Sequence, residues 1–146
     1  ARWLTGKSIG RVVATGGNYA TPQIEDYDTV KILGLHEDNT QCLLELYSGI
    51  KHDYPFIQVE AIGEKGTLIT KYDNYTLVGQ SEKGVRFGAL RNTDMTAGEM
   101  DHFLDCIKNR KPERCSYYDM VYVVKCIEAA RESMRQGSFV DVEWRD

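Results

Sequence analysis

No apolar run in this chain approaches the roughly 20 residues that a membrane-crossing helix needs. The four cysteines, Cys42, Cys106, Cys115 and Cys126, form no C-x-x-C pair and match no zinc spacing. Scattered thiols of this kind read as buried and reduced, which points to a cytoplasmic protein rather than a secreted disulfide scaffold. There is no G-x-G-x-x-G dinucleotide fingerprint and no G-x-x-x-x-G-K-[ST] phosphate loop. The nearest approach, Gly63-Glu64-Lys65-Gly66-Thr67, joins two strand patterns instead of opening a helix, so it reads as a hairpin turn. Positive charge is in the minority: 18 Lys and Arg against 22 Asp and Glu leave a net charge of −4. That balance disfavours nucleic acid or an anionic membrane as a partner. The one basic cluster, Lys108, Arg110, Lys111 and Arg114, reads as a solvated loop after a helix. Internal repeats and low-complexity tracts are also missing, and the sequence begins on Ala1, not on Met.

The 146 residues, 42% apolar and 27% charged, suit one globular domain over 1–146. Ala1-Arg2-Trp3-Leu4-Thr5-Gly6 reads as the final turn of a helix, closed by a glycine in the left-handed position. The expectation from that stub is a longer parent protein. Strand patterns follow at residues 8–15, 29–36 and 42–47, the last two forming a hairpin across Glu37-Asp38-Asn39. Residues 56–62 and 67–70 make a second hairpin, and residues 75–79 and 85–90 a third, through Glu82-Lys83-Gly84.

The last third changes period. Thr96-Ala97-Gly98-Glu99 has the form of a capping box. Met100, Phe103, Leu104 and Ile107 then recur at helical spacing. Ser116 with Asp119 offers a second helix start. Met120, Val123, Val124, Ile127, Ala130 and Met134 form its apolar stripe, and Gly137 ends it. Residues 138–144 alternate as a closing strand.

Strands first, helices later and a final strand predict an α+β domain: a two-layer, open-faced, largely antiparallel sheet with helices on one face. Ile32, Leu44, Leu46, Ile57 and Val59 exceed what two helices can hide, which predicts an oligomer interface on the open face.

Little chemistry stands out. His102 reads as structural or solvent-facing, and His36, at the end of a strand in a turn, reads as solvated. His52 is set among Lys51, Asp53 and Tyr54 in a loop, where binding groups concentrate, although a plain polar hairpin loop has the same composition. No nucleophile–base–orienter set can be assembled.

Four segments together resemble the C-terminal domain of the Gfo/Idh/MocA family, the nicotinamide-dependent sugar and inositol dehydrogenases related to glucose–fructose oxidoreductase. They are Arg2-Trp3-Leu4-Thr5-Gly6; Val59 with Gly63, Gly66 and Leu68; Glu99, His102, Phe103, Ile107, Pro112 and Ser116; and Ala129, Ala130, Ser133, Gly137 and Val140. The resemblance implies a fold like the C-terminal domain of glyceraldehyde-3-phosphate dehydrogenase. It implies a parent whose N-terminal Rossmann domain binds NAD or NADP and carries the catalytic Lys, with the family's catalytic Asp and His just upstream of Ala1.

On that basis no catalytic, cofactor-binding or metal residue carries over to this chain, which by itself is expected to be inactive. What carries over is a substrate-lining and homo-oligomerising role toward a small sugar or polyol. Tyr54 matches a loop position, often Tyr in the family, that touches the polyol, with His52 and Lys51 beside it. Glycoside hydrolases using the same cofactor belong to the family too. The competing expectation is a stand-alone, non-enzymatic binding or assembly module that oligomerises through its sheet.

Overall fold

A computed structural model describes residues 1–23, 25–48, 58–71, 76–89 and 95–143. The chain divides into two compact units, Ala1–Ile50 with Arg114–Asp146, and Lys51–Glu113.

In the first unit, β1 (Ile9–Gly17), β2 (Thr29–His36), β3 (Gln41–Tyr47) and the short β8 (Val140–Asp141) form an antiparallel sheet in the order β3-β2-β1-β8. Two helices belong to it, α1 (Arg2–Thr5) and α3 (Tyr117–Gln136). Both end as their sequences predict, with Gly6 and Gly137 at φ 68, a conformation that glycine adopts without a Cβ penalty. The predicted cap on α3 is present. Ser116 Oγ accepts from the Asp119 amide at 3.2 Å while the Asp119 carboxylate accepts from the Ser116 amide at 2.9 Å. Asp119 also meets Arg2 at 3.3 Å, and the Arg2 guanidinium stands 4.9 Å from the centre of the Tyr122 ring, so α1 is held to the start of α3.

Two hydroxyls fix α3 on β1. Tyr122 Oη accepts from the Ile9 amide and donates to the Ile9 carbonyl at 3.3 Å. Ser133 Oγ accepts from the Ala14 amide at 2.9 Å and donates to the Ser138 carbonyl at 2.6 Å. The spacing is matched. From 122 to 133 a helix rises about 16 Å, and from 9 to 14 a strand advances about 16 Å, so helix and strand run alongside in one direction. Ser133 has a further task. Because β8 pairs only with Arg11 and Val12, the Ala14 amide has no strand partner on that side, and the serine takes its place. Ile9, Val12, Ala14, Tyr122, Ala129, Ala130 and Val142 form the buried core, with Ile32, Cys42, Cys126 and Met134 packed against it.

Two expectations need correction. The buried face of α3 is Tyr122, Cys126, Ala129, Ala130 and Ser133; of the anticipated stripe Ala130 and Met134 meet the core, whereas Met120, Val123, Val124 and Ile127 are 47–58% exposed. At 100° per residue the two sets lie about 120° apart around the helix. A close helix–strand approach favours small residues, so the bulky aliphatic stripe is not the one that meets the sheet. The second correction concerns Ile32, Leu44 and Leu46. They are on the α3 side of the sheet, because Ile32 pairs with Ala14 and with Leu44. Ile32 packs on the core, while Leu44 and Leu46, on the edge strand, are 42% and 55% exposed. The opposite face carries Val13, Leu33 and Leu43 beside a Lys31–Glu45–Tyr47 cluster.

The second unit contains a meander of β4 (Gln58–Gly63), β5 (Gly66–Lys71), β6 (Thr76–Ser81) and β7 (Gly84–Ala89), antiparallel throughout, and the helix α2 (Met95–Asn109). Gly63 pairs with Gly66 and Ser81 with Gly84, so these two predicted hairpins are present, each closing on a two-residue turn tighter than the sequence reading gave. Gly66 is required there. Its φ is 144, and a Cβ would lie 2.0 Å from the Gln80 carbonyl oxygen. Helix α2 begins ahead of Thr96, so the anticipated capping box falls inside the helix rather than at its start. The closing strand is shorter than expected, and Ile57 and Trp144 lie outside the described residues.

The α+β class therefore holds. The strands assort into two sheets, a partition that the alternation pattern does not contain.

Candidate functional site

Lys51, His52 and Tyr54 lie outside the described residues. The structure does describe the scaffold from which their segment departs. At that end of the first sheet β1 finishes, β2 begins and β3 finishes, with Gly17 opposite Thr29 and Thr29 opposite Tyr47.

Asp28 organises this end. It is 2% exposed, and its carboxylate accepts from the amides of Tyr19 (3.0 Å), Ala20 (2.6 Å) and Thr21 (2.7 Å), and from the hydroxyls of Thr21 and Thr29. Burial pushes this carboxyl upward, but the convergent donors outweigh it and hold the group well below the usual carboxylate range. Its backbone completes the anchor: the Asp28 carbonyl accepts from both the amide (2.8 Å) and the hydroxyl (3.0 Å) of Ser48. The point where the chain leaves β3 toward residue 51 is thus tied to the same aspartate that folds the loop of residues 18–28.

Three tyrosines surround this anchor. Tyr27 lies against Gly16 and Tyr19 against Gly17, where a Cβ would come within 3.1 Å and 2.5 Å of the respective rings. Tyr19, Tyr27 and Tyr47 are 76%, 44% and 42% exposed, so part of each ring meets solvent. Beside Tyr27, an open cleft of about 440 Å³ is lined by Glu25, Asp26, Arg131 and Met134, with Arg131 paired to Asp26 at 2.6 Å. On the other face Lys31 bridges Glu45 at 2.9 Å, and the Glu45 carboxylate accepts from Tyr47 Oη at 3.0 Å. Hydrogen bonding between them raises the lysine pKa and lowers that of the glutamate. Aromatic rings, hydroxyls and fixed charges at one sheet end can bind a hydroxyl-rich molecule. Sequence reasoning passed over Tyr19, Tyr27 and Arg131. The available signal was Gly16-Gly17 closing a strand pattern ahead of Tyr19 and Tyr27, since paired glycines leave room for rings against a strand.

The remaining histidines divide. His36 is a correction: it is 2% exposed, not solvated, and its Nδ1 is 3.0 Å from the Ser8 carbonyl. It shares the α3-facing side with Gly34, two residues back, so only the turn beyond it meets water. Its Nε2 has no partner among the described residues. His102 contacts Cys106 one turn on, with Nε2 3.5 Å from Sγ. Among the described residues no three His, Cys, Asp or Glu groups come together as a metal site. Cys42 and Cys126 pack against the core, and burial pushes both thiols up, as expected of unreactive cysteines. No described helix is long and apolar enough to cross a membrane.

Known proteins share this architecture. A levoglucosan dehydrogenase structure, in complex with NADH, superposes with a TM-score of 0.88 over 99% of this chain and 47% of that one, at 18% identity. An oxidoreductase from Agrobacterium radiobacter, in complex with NAD+, L-tartaric acid and magnesium, superposes at 0.84 over 97% and 45%, at 20% identity. In sequence, the myo-inositol dehydrogenase Hyg17 of Streptomyces leeuwenhoekii is 27% identical over 94% of this chain and 44% of that protein. The chain spans less than half the length of these relatives. The family model for the oxidoreductase C-terminal α/β domain matches residues 1–142, and by that match the chain belongs to the Gfo/Idh/MocA oxidoreductase family, as its C-terminal domain.

Proposed function

We propose that this chain is the substrate-lining and oligomerisation domain of a nicotinamide-dependent sugar or polyol dehydrogenase. The observation that carries this reading is a family match over residues 1–142 in a chain spanning under half of relatives whose structures contain NAD+ or NADH. A Rossmann domain outside these residues would bind NAD or NADP and supply the hydride chemistry. The part assigned to this chain is to hold the polyol. Tyr54, His52 and Lys51 would donate and accept hydrogen bonds with its hydroxyls, on a segment whose departure from β3 is anchored by Asp28 and Ser48. This chain alone is then inactive, and the parent protein works in the cytoplasm.

The oligomer surface in this reading is one face of the second sheet. Ile62, Val85 and Phe87 share it at 78%, 52% and 79% exposure, with Ile69 and Val78 between them by register. Val59 pairs with Thr70 and belongs to the opposite face.

The test has two arms. Calorimetric titration of NADH into this chain should give no binding heat, and a saturable isotherm would overturn the division of labour. In the parent protein, whose reading frame should extend upstream through a G-x-G-x-x-G segment, Tyr54→Phe should raise KM for the polyol about tenfold with a smaller change in kcat. An unchanged KM for every polyol that the parent oxidises would remove Tyr54 from the site.

A further inference from the structure

The meander of the second unit has a chemically distinctive end. Both of its two-residue turns, Glu64-Lys65 and Glu82-Lys83, fall at the same end, because strands alternate in direction and the turns join β4 to β5 and β6 to β7. A cleft of about 610 Å³ opens there. Across its floor runs one cross-strand row, Ala61, Leu68, Gly79 and Arg86, each paired with the next and so on one face of the sheet. A Cβ at Gly79 would meet nothing within 4 Å, so the row is open above that position. Lys65, Lys83 and Arg86 all line the cleft, and no acidic side chain does. Glu64 and Glu82 are beside the lysines in sequence but are not among the lining residues. None of the three cations forms an ion pair with another described residue, whereas Lys7, Lys31, Lys111, Lys125, Arg131 and Arg135 all do.

The geometry points to a binding site for a small phosphate-bearing molecule with two separated anionic groups, of the class of a bisphosphorylated sugar. Lys65, Lys83 and Arg86, without an ion-pair partner among the described residues, outnumber Glu64 and Glu82 at this end, a local excess of positive charge in a chain of net charge −4. The turns carrying Lys65 and Lys83 are separated by two strand spacings, about 10 Å, so the two ammonium groups can each take a different anionic group of one extended ligand. Arg86, on the floor, presents a planar fork that suits one phosphate bidentately. The apolar strip of Ala61 and Leu68 can support the carbon skeleton between the anionic groups, while Ser81, on the same face as Gly79, offers a hydrogen bond to a hydroxyl.

The test is a titration of the isotopically labelled chain, followed by amide chemical shifts, with fructose 1,6-bisphosphate as probe. Inorganic phosphate and sodium chloride at matched ionic strength serve as comparators. Saturable shifts at Gly66, Gly79 and Gly84 are expected with the bisphosphate, with inorganic phosphate at least tenfold weaker. Arg86→Gln should weaken the bisphosphate about tenfold, and Lys83→Gln alone about threefold, each in a protein whose remaining spectrum is unchanged. Equal responses to bisphosphate and chloride would overturn the site. So would unaltered affinity in Lys83→Gln and in the Lys65→Gln/Lys83→Gln pair, two surface changes that leave the sheet intact.

Discussion

The two units use similar antiparallel sheets to different ends. Every fully buried residue among those described belongs to the first unit. There a long helix is latched to the central strand at both ends, by Tyr122 and by Ser133, and an aspartate satisfies the loop at the sheet's far end. In the second unit the strands pair in full register, yet Ile62, Val85 and Phe87 stay exposed. Backbone pairing alone makes a sheet, whereas a core needs a layer whose side chains interlock with it. The first unit is organised to be stable, and the second presents surface.

That contrast can be broken by substitution. The largest effect is expected at Asp28. Removing its carboxylate in Asp28→Ala leaves three amides and two hydroxyls without their acceptor, and the melting temperature should fall on the order of 10 °C. The same group predicts acid sensitivity of definite sign. Its folded pKa is depressed, so its stabilisation is complete above the unfolded carboxylate pKa and is lost as pH falls through the folded value. Melting curves from pH 7 down to pH 2 should lose stability below about pH 4, and less steeply in Asp28→Asn.

Next comes Ala130→Leu, which forces bulk between α3 and β1 where the alanine is 2% exposed, and should cost about 3 kcal/mol by urea denaturation. Ser133→Ala removes the acceptor of the Ala14 amide and the donor to the Ser138 carbonyl, for about 2 kcal/mol. The smallest stability change should come from the second sheet. Phe87→Ser is expected to alter folding stability by less than about 0.5 kcal/mol while shifting the light-scattering mass toward monomer. A stability loss as large as that at Ala130 would mean that Phe87 packs within its own chain, and the contrast between the units would fail.

How much was legible follows from which interactions are local. Turns, helix ends and strand alternation depend on neighbours in sequence, and Gly63 to Gly66, Ser116 with Asp119, and Gly137 all behave as their residue types require. The stripe is right at Ala130 and Met134 but centres on the wrong face of α3, because hydropathy weights Met120, Val123, Val124 and Ile127 above Ala129 and Ser133. Close packing against a strand selects the small residues instead. His36 was misjudged for a similar reason: its neighbours in sequence are turn-formers, while its own side chain points inward under α3. Of the candidate site, the anchoring role of Asp28 was hidden, since its donors come from Tyr19, Ala20 and Thr21, brought back to it by the loop.

The sequence by itself determined the α+β class, the antiparallel hairpins, the helix boundaries near Ser116 and Gly137, and the family, all of which rest on local periodicity or on motif order along the chain. Only the tertiary structure decided which strands share a sheet, which face of α3 is buried and why Asp28, His36 and Ser133 are inside. Those outcomes depend on contacts between residues far apart in sequence, such as Ala14 with Ser133, and on how closely two backbones can approach.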